Sequence, residues 1–255
     1  ELNNNHNKYL KLFKKKTDIY NYHKPTETHL GDWIGVEIEC FIPKTEDIKK
    51  ESDLCYFFQK KKIPFLNITN DGSLHHDDES TFISVEFRVL TRINDMSNLE
   101  KLCKVLNQEL GAEVNKTCGL HVHLDMRDLL NNGKRSVTRV HNLVQCLPLL
   151  SSLVPQSRRD NSFCKLGKSN RPSDRYWAIN TNSLKKHKTV EVRLHSGTTD
   201  FEKISNWIKL LYTITRFKRI KDIVFNMDQF RTHVVNNHNG PTGFLPNADY
   251  LRQRI

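Results

Sequence analysis

No apolar run in these 255 residues approaches the roughly 20 that a membrane-spanning helix needs. No basic stretch leading into a short apolar segment opens the sequence, so a secretory leader is not expected. CxxC pairs are absent; the six cysteines stand apart at 40, 55, 103, 118, 146 and 164. The apolar neighbours of Cys40, Cys55 and Cys103 point to buried free thiols rather than a disulfide framework, and so to a reduced, cytoplasmic setting. No internal repeat is visible. No Gly/Ser- or Pro-rich linker divides residues 31–224, which read as one unit. A basic arm over 1–30 precedes it, with Leu10, Phe13 and Tyr20 spaced like one weak helix face. After about Phe225 the sequence turns polar and loop-like, and 225–255 read as a tail packing on the domain.

What is present is charge. Hydrophobic residues make up 37% and charged residues 27%, polar but still globular, and the net charge is +11. The surplus gathers in Lys8 to Lys16, Lys60 to Lys62 and Lys185 to Lys188. A basic surplus suits an acidic partner: nucleic acid or another acidic macromolecule, nucleotide phosphates, an anionic peptide or a membrane surface. Three helices have readable ends. Ser97 and Glu100 form a capping box ahead of Leu99, Leu102, Cys103, Leu106 and Leu110, with Gly111 as the stop. A second helix is predicted from Ser136 to Leu147, with Val137, Val140, Val144 and Leu147 on one face. A third begins near Asp200, its stripe running through Ile204, Trp207, Ile208, Leu211 and Thr215.

Four short segments alternate with period two. Gly35–Cys40 sends Glu37 and Glu39 to one face; Val85–Val89 does the same with Glu86 and Arg88. Leu120–Asp125 groups His121, His123 and Asp125, and Val190–His195 groups Glu191, Arg193 and His195. A half-buried strand facing water usually carries Thr, Ser, Lys and Gln. If these four share a sheet, acids, imidazoles and arginines converge on one surface instead. Two carboxylates about 5 Å apart repel by about 3 kcal/mol at an effective dielectric near 20. Arg88 and Arg193 offset part of this; a divalent cation would offset more, and hard carboxylate oxygens suit Mg²⁺ or Mn²⁺.

Read in order, the motifs are GVEIE (35–39), DGSL (71–74), VEFRVL (85–90), CGLHVHLD (118–125), SRRDNSFC (157–164), RYWAIN (175–180) and TVEVRLHSGT (189–198). This series resembles the amidoligase family, carboxylate–amine ligases related to glutamine synthetase and glutamate–cysteine ligase. The resemblance covers residues 31–220. It implies an α+β fold: a curved, mostly antiparallel sheet of the glutamine synthetase catalytic-domain type, with helices on its outer face. It implies an ATP-dependent enzyme that joins a small-molecule or peptide carboxylate to an amine through an acyl phosphate, with Mg²⁺ or Mn²⁺. By the same resemblance Glu37, Glu39, Glu86, Glu191 and His121 would hold metal, and His123 and Arg193 would contact phosphate. Asp71 would lie near the substrate amine or a metal, and Arg159 and Arg175 would be further phosphate or carboxylate contacts. Two departures, the long stretch between Asp71 and Glu86 and the Arg88-Val-Leu-Thr-Arg run, fall where the amino-acid substrate is expected.

Two other readings compete. His-hydrophobic-His on a strand is also the metal motif of HUH-type single-strand DNA nickases, and the basic charge suits DNA. Those enzymes need a nucleophilic Tyr on a following helix, usually with a Lys four residues on. Here Tyr176 is followed by Asn180 and Tyr212 by Arg216. A non-catalytic, basic nucleic-acid-binding protein on the same scaffold would have lost the acids, and they are present.

Overall fold

Period-two alternation builds a seven-stranded sheet in the computed structural model, which describes residues 28–65, 67–129, 133–168 and 174–237. Most of the basic arm, with Leu10, Phe13 and Tyr20, lies outside the described residues. The strands are β1 (Trp33–Pro43), β2 (Asn67–Asn70), β3 (Phe82–Arg92), β4 (Gly119–Asp125), β5 (Lys165–Lys168), β6 (Trp177–Asn180) and β7 (Thr189–Ser196). Their order is β2-β3-β1-β4-β7-β6-β5. Every neighbouring pair is antiparallel except β5 with β6. The four segments singled out by alternation are thus adjacent, as β3-β1-β4-β7, at the centre of the sheet.

The helices are α1 (Glu51–Lys60), α2 (Ser97–Gln108), α3 (Gly133–Gln145), α4 (Leu147–Ser152), α5 (Gln156–Arg159), α6 (Ser183–His187), α7 (Phe201–Arg216) and α8 (Met227–Asn237). One face of the sheet carries the core. Val36, Ile38 and Cys40 of β1, Phe87 of β3, Val122 of β4 and Val192 of β7 are buried with Phe58 of α1, Leu102 of α2 and Trp207 of α7. The fold is α+β, with a mostly antiparallel sheet and helices against its apolar face, as expected. No helix among the described residues is long and apolar enough to cross a membrane. All six cysteines are free and buried.

Four local expectations need correction. In α2 the capping box does not form: Met96 is the N-cap, and Ser97 donates to Asp95 Oδ1 from its hydroxyl (2.7 Å) and its backbone N–H (3.3 Å). Ser97 is already the first helical residue, and the Glu100 N–H donates to the Met96 carbonyl (3.0 Å) rather than to the Ser97 hydroxyl. Val140 and Val144 of α3, and Leu147 at the start of α4, pack partly buried against the core as predicted, but Val137 is 68% exposed, and the fully buried stripe runs through Arg139, Asn142, Leu143 and, just past the end of α3, Cys146. Polar residues hid that stripe. Asn142 is buried because it donates to the carbonyls of Ile214, Phe217 and Lys218 and accepts from the Ile220 N–H. The segment after Phe225 is not a loop at its start: α8 buries Met227 and Phe230, and Phe230 meets Phe217 at 5.6 Å between ring centroids. Residues 238–255 lie outside the described residues.

The fourth correction concerns β7. Leu120 of β4 pairs with His195 and Val122 with Val192, so Arg193 and Leu194 together stand opposite the single residue His121. The extra residue reverses the alternation. His195 turns from the charged face into the core, its ring 4.9 Å from that of Trp207.

Candidate functional site

The other face of the sheet forms the floor of a cleft of about 790 Å³. Register places the charged side chains in contact there: Glu37 stands between Arg88 on β3 and His121 on β4, Glu39 opposite Glu86, and His123 opposite Glu191. Glu39, Glu86, His121 and Glu191 are buried.

Each carboxylate is held by a neighbour. Glu37 Oε2 lies 3.1 Å from His121 Nδ1, and its Oε1 lies 3.3 Å from both His123 Nε2 and Arg88 Nε. Glu39 Oε1 is 3.4 Å from His121 Nε2, while its other oxygen accepts from the backbone N–H of Gly119. Arg88 also donates to Glu86 (2.6 Å). Glu191 pairs with Arg193 and accepts from Asn180 Nδ2 (2.7 Å). Glycine at 119 leaves room for this approach: a Cβ there would sit 3.0 Å from His121 Nε2 and Arg158 Nη2 and 3.1 Å from Glu39 Oε2, so these side-chain ends would have to give by a few tenths of an ångström.

The electrostatics show too much negative charge. Burial pushes the Glu86 carboxyl up to about 7; Glu37 adds to this, and Arg88 offsets it only in part. Burial also acts upward on Glu37, but the imidazoles of His121 and His123 outweigh it and hold that carboxyl well below its usual range. Burial disfavours the His123 cation, yet the adjacent Glu37 carboxylate raises its pKa on balance. His123 Nδ1 is 3.0 Å from Thr189 Oγ1, whereas its buried Nε2 completes no hydrogen bond.

This donor set fits a hard divalent cation. Three groups bring one ligand atom from each member within 4.8 Å of the others: Glu37, Glu86 and His121; Glu37, His123 and Glu191; and Glu39, Asp71 and Glu86. Carboxylate oxygens with one imidazole suit Mg²⁺ or Mn²⁺, and the buried His123 Nε2, which faces Glu37 Oε1, is one of the atoms placed to ligate. The second group includes His123, which sequence reading assigned to phosphate. Asp71, at the end of β2, joins the third group and also accepts from Ser73.

Arg193 and Arg175 line the cleft with the acids, but Arg159 does not. Its guanidinium turns back to the carbonyls of Val154 (3.1 Å) and Ser152 (3.2 Å). Its neighbour Arg158 lines the cleft instead and is buried. Arg158 donates to the carbonyls of Arg193 (2.7 Å) and Leu194 (3.4 Å), the two residues of the β7 irregularity. A four-residue helix has no periodicity from which to choose between adjacent arginines. Asn180 was also missed; only its pairing with Glu191 in the register of β6 and β7 reveals it.

A family model described as "Putative amidoligase enzyme" matches residues 68–170 and 159–215. These segments include β3, β4, β7 and most of α7. No curated protein matches the chain.

Proposed function

Because the chain belongs to the amidoligase family, we propose that it is an ATP-dependent ligase joining a small-molecule or peptide carboxylate to an amine, built on a sheet of the glutamine synthetase catalytic-domain type. The observation that carries this reading is the meeting of Glu37, Glu39, Glu86, His121 and Glu191 from four adjacent strands on one open face.

Mg²⁺ or Mn²⁺ held by those five residues would neutralise the charge of the ATP phosphates. Arg193 provides a planar donor beside the acids and, with His123, stabilises charge on the transferred phosphoryl group. Arg175, at the cleft wall, is a further phosphate or carboxylate contact; Arg159 drops out of that role and Arg158 braces Arg193. A carboxylate oxygen attacks the terminal phosphorus as its bond to ADP breaks, giving an acyl phosphate. The amine nitrogen then attacks the acyl carbon, phosphate leaves, and Asp71 accepts the amine proton. The protein mainly positions reactants and supplies electrostatics.

Among the described residues the nickase reading finds no tyrosine nucleophile on a helix at the cleft. Tyr212 donates to Asp32 (2.7 Å) and is buried away from the cleft, and Tyr176 lies just before β6 rather than on a helix. The non-catalytic reading gives no role to a buried acid cluster. The test is ADP release that depends on both a carboxylate and an amine. Glu39→Gln and Arg193→Ala each abolish it; full activity in either variant overturns the assignment.

A further inference from the structure

The cleft wall beside Arg193 carries a feature that phosphate and metal chemistry do not use. Phe163 and Tyr176 meet edge to face, with ring centroids 5.4 Å apart and planes at 83°. Both line the cleft, and Phe163 is 45% exposed despite its size. The Arg175 guanidinium lies 5.1 Å from the Tyr176 ring centroid, and that of Arg193 lies 6.0 Å from it. The pair is held in place. Tyr176 accepts from the Lys165 N–H (2.8 Å) and its own N–H donates to Asp174 (3.0 Å), while the Phe163 N–H donates to Asn161 (2.8 Å).

Its position decides what it binds. Arg193 pairs with Glu191 on one side and donates from Nε to the Phe163 carbonyl (3.2 Å) on the other. Moving outward from the acids, the cleft therefore presents carboxylates, then a guanidinium, then an open aromatic surface. That is the order of metal, phosphate and base along a metal-bound nucleotide. Trp33, which also lines the cleft, lacks this link: its neighbouring arginine, Arg92, pairs with Asp95. Aromatic and guanidinium planes interleaved at one wall are a sequence-tolerant way to stack a nucleobase.

We propose that Phe163 and Tyr176 form the shelf on which the base of the nucleotide stacks, fixing the direction in which the nucleotide lies across the sheet. This rests on the ATP-dependent reading above. Calorimetric titration of the full chain with Mg·ADP and, separately, Mg·tripolyphosphate separates the two. The wild type binds both, ADP more tightly. Phe163→Ala weakens ADP about 5- to 150-fold, the range expected for one stacked base, and leaves tripolyphosphate unchanged. Phe163→Trp keeps ADP affinity, and Tyr176→Ala behaves like Phe163→Ala. Wild-type binding of both ligands with no effect of either alanine overturns the shelf and leaves the nucleotide reading intact. Equal loss of both ligands in the alanine variants also overturns it, because the damage then lies with phosphate. Failure of the wild type to bind either ligand overturns both inferences.

Discussion

Gly119 isolates geometry from charge at the site. Its N–H donates to Glu39, and a methyl group there would meet His121, Arg158 and Glu39 together. Gly119→Ala removes no charged or ligating group yet is expected to lower carboxylate- and amine-dependent ADP release, by less than the about 100-fold that a full ångström of misplacement costs, because the facing side-chain ends need give only a few tenths of an ångström. Steady-state assay of folded variant checks this; unchanged turnover would show that the approach of Glu39 to His121 is unimportant. Residue identities at the site were largely legible because Glu, His and Arg at alternate strand positions are chemically conspicuous. The choice between Arg158 and Arg159 was not. It depends on which guanidinium reaches the carbonyls of Arg193 and Leu194. Arg159→Ala is accordingly expected to keep turnover within a few-fold, since its bonds run to its own neighbourhood, whereas Arg158→Gln lowers it about 10- to 1,000-fold by freeing the strand that presents Arg193. Equal turnover in the two variants would contradict this division.

At the scale of elements, β1, β3 and β4 follow simple alternation, and their charged faces were readable for that reason. β7 follows it only as far as Arg193. The two-against-one register turns His195 onto Trp207, and no pattern within TVEVRLHS reports an extra residue that exists only relative to a partner strand. His195→Ala is therefore expected to act on stability rather than on chemistry. Removing a buried ring costs about 1–3 kcal/mol, which lowers Tm by a few degrees for a chain of this size, while Mg·ADP affinity stays at the wild-type value. Unchanged Tm with lost nucleotide binding would place His195 in the site after all. The fully buried part of the α3 stripe was missed for a related reason: Arg139 and Asn142 are buried by partners on other elements, Asp128 and the carbonyls at the end of α7. Sequence distance conceals such partners.

The whole molecule buries all six thiols, and this sets its response to alkali. Burial pushes Cys118 up to about 11 and Cys103 and Cys146 up to about 12. A folded pKa above the unfolded one favours the native state fully below the unfolded value of about 8.5. That advantage is lost as pH rises towards the folded values, because the unfolded chain binds fewer protons there. Urea midpoints are thus expected to fall between pH 8 and pH 11, with thiol labelling at pH 8 waiting on unfolding; fast labelling of native chain would contradict the burial. The larger organisation, one apolar face under helices and one charged face open to ligand, is where sequence and structure agree most closely, since period-two alternation specifies both faces at once. Whether the charged face is a metal site is measured most directly by anomalous diffraction from crystals grown with Mn²⁺ and ADP. The account predicts manganese peaks within coordination distance of Glu37, Glu86 and Glu191, with the ADP phosphates against them; a well-ordered cleft without manganese at those carboxylates would contradict it.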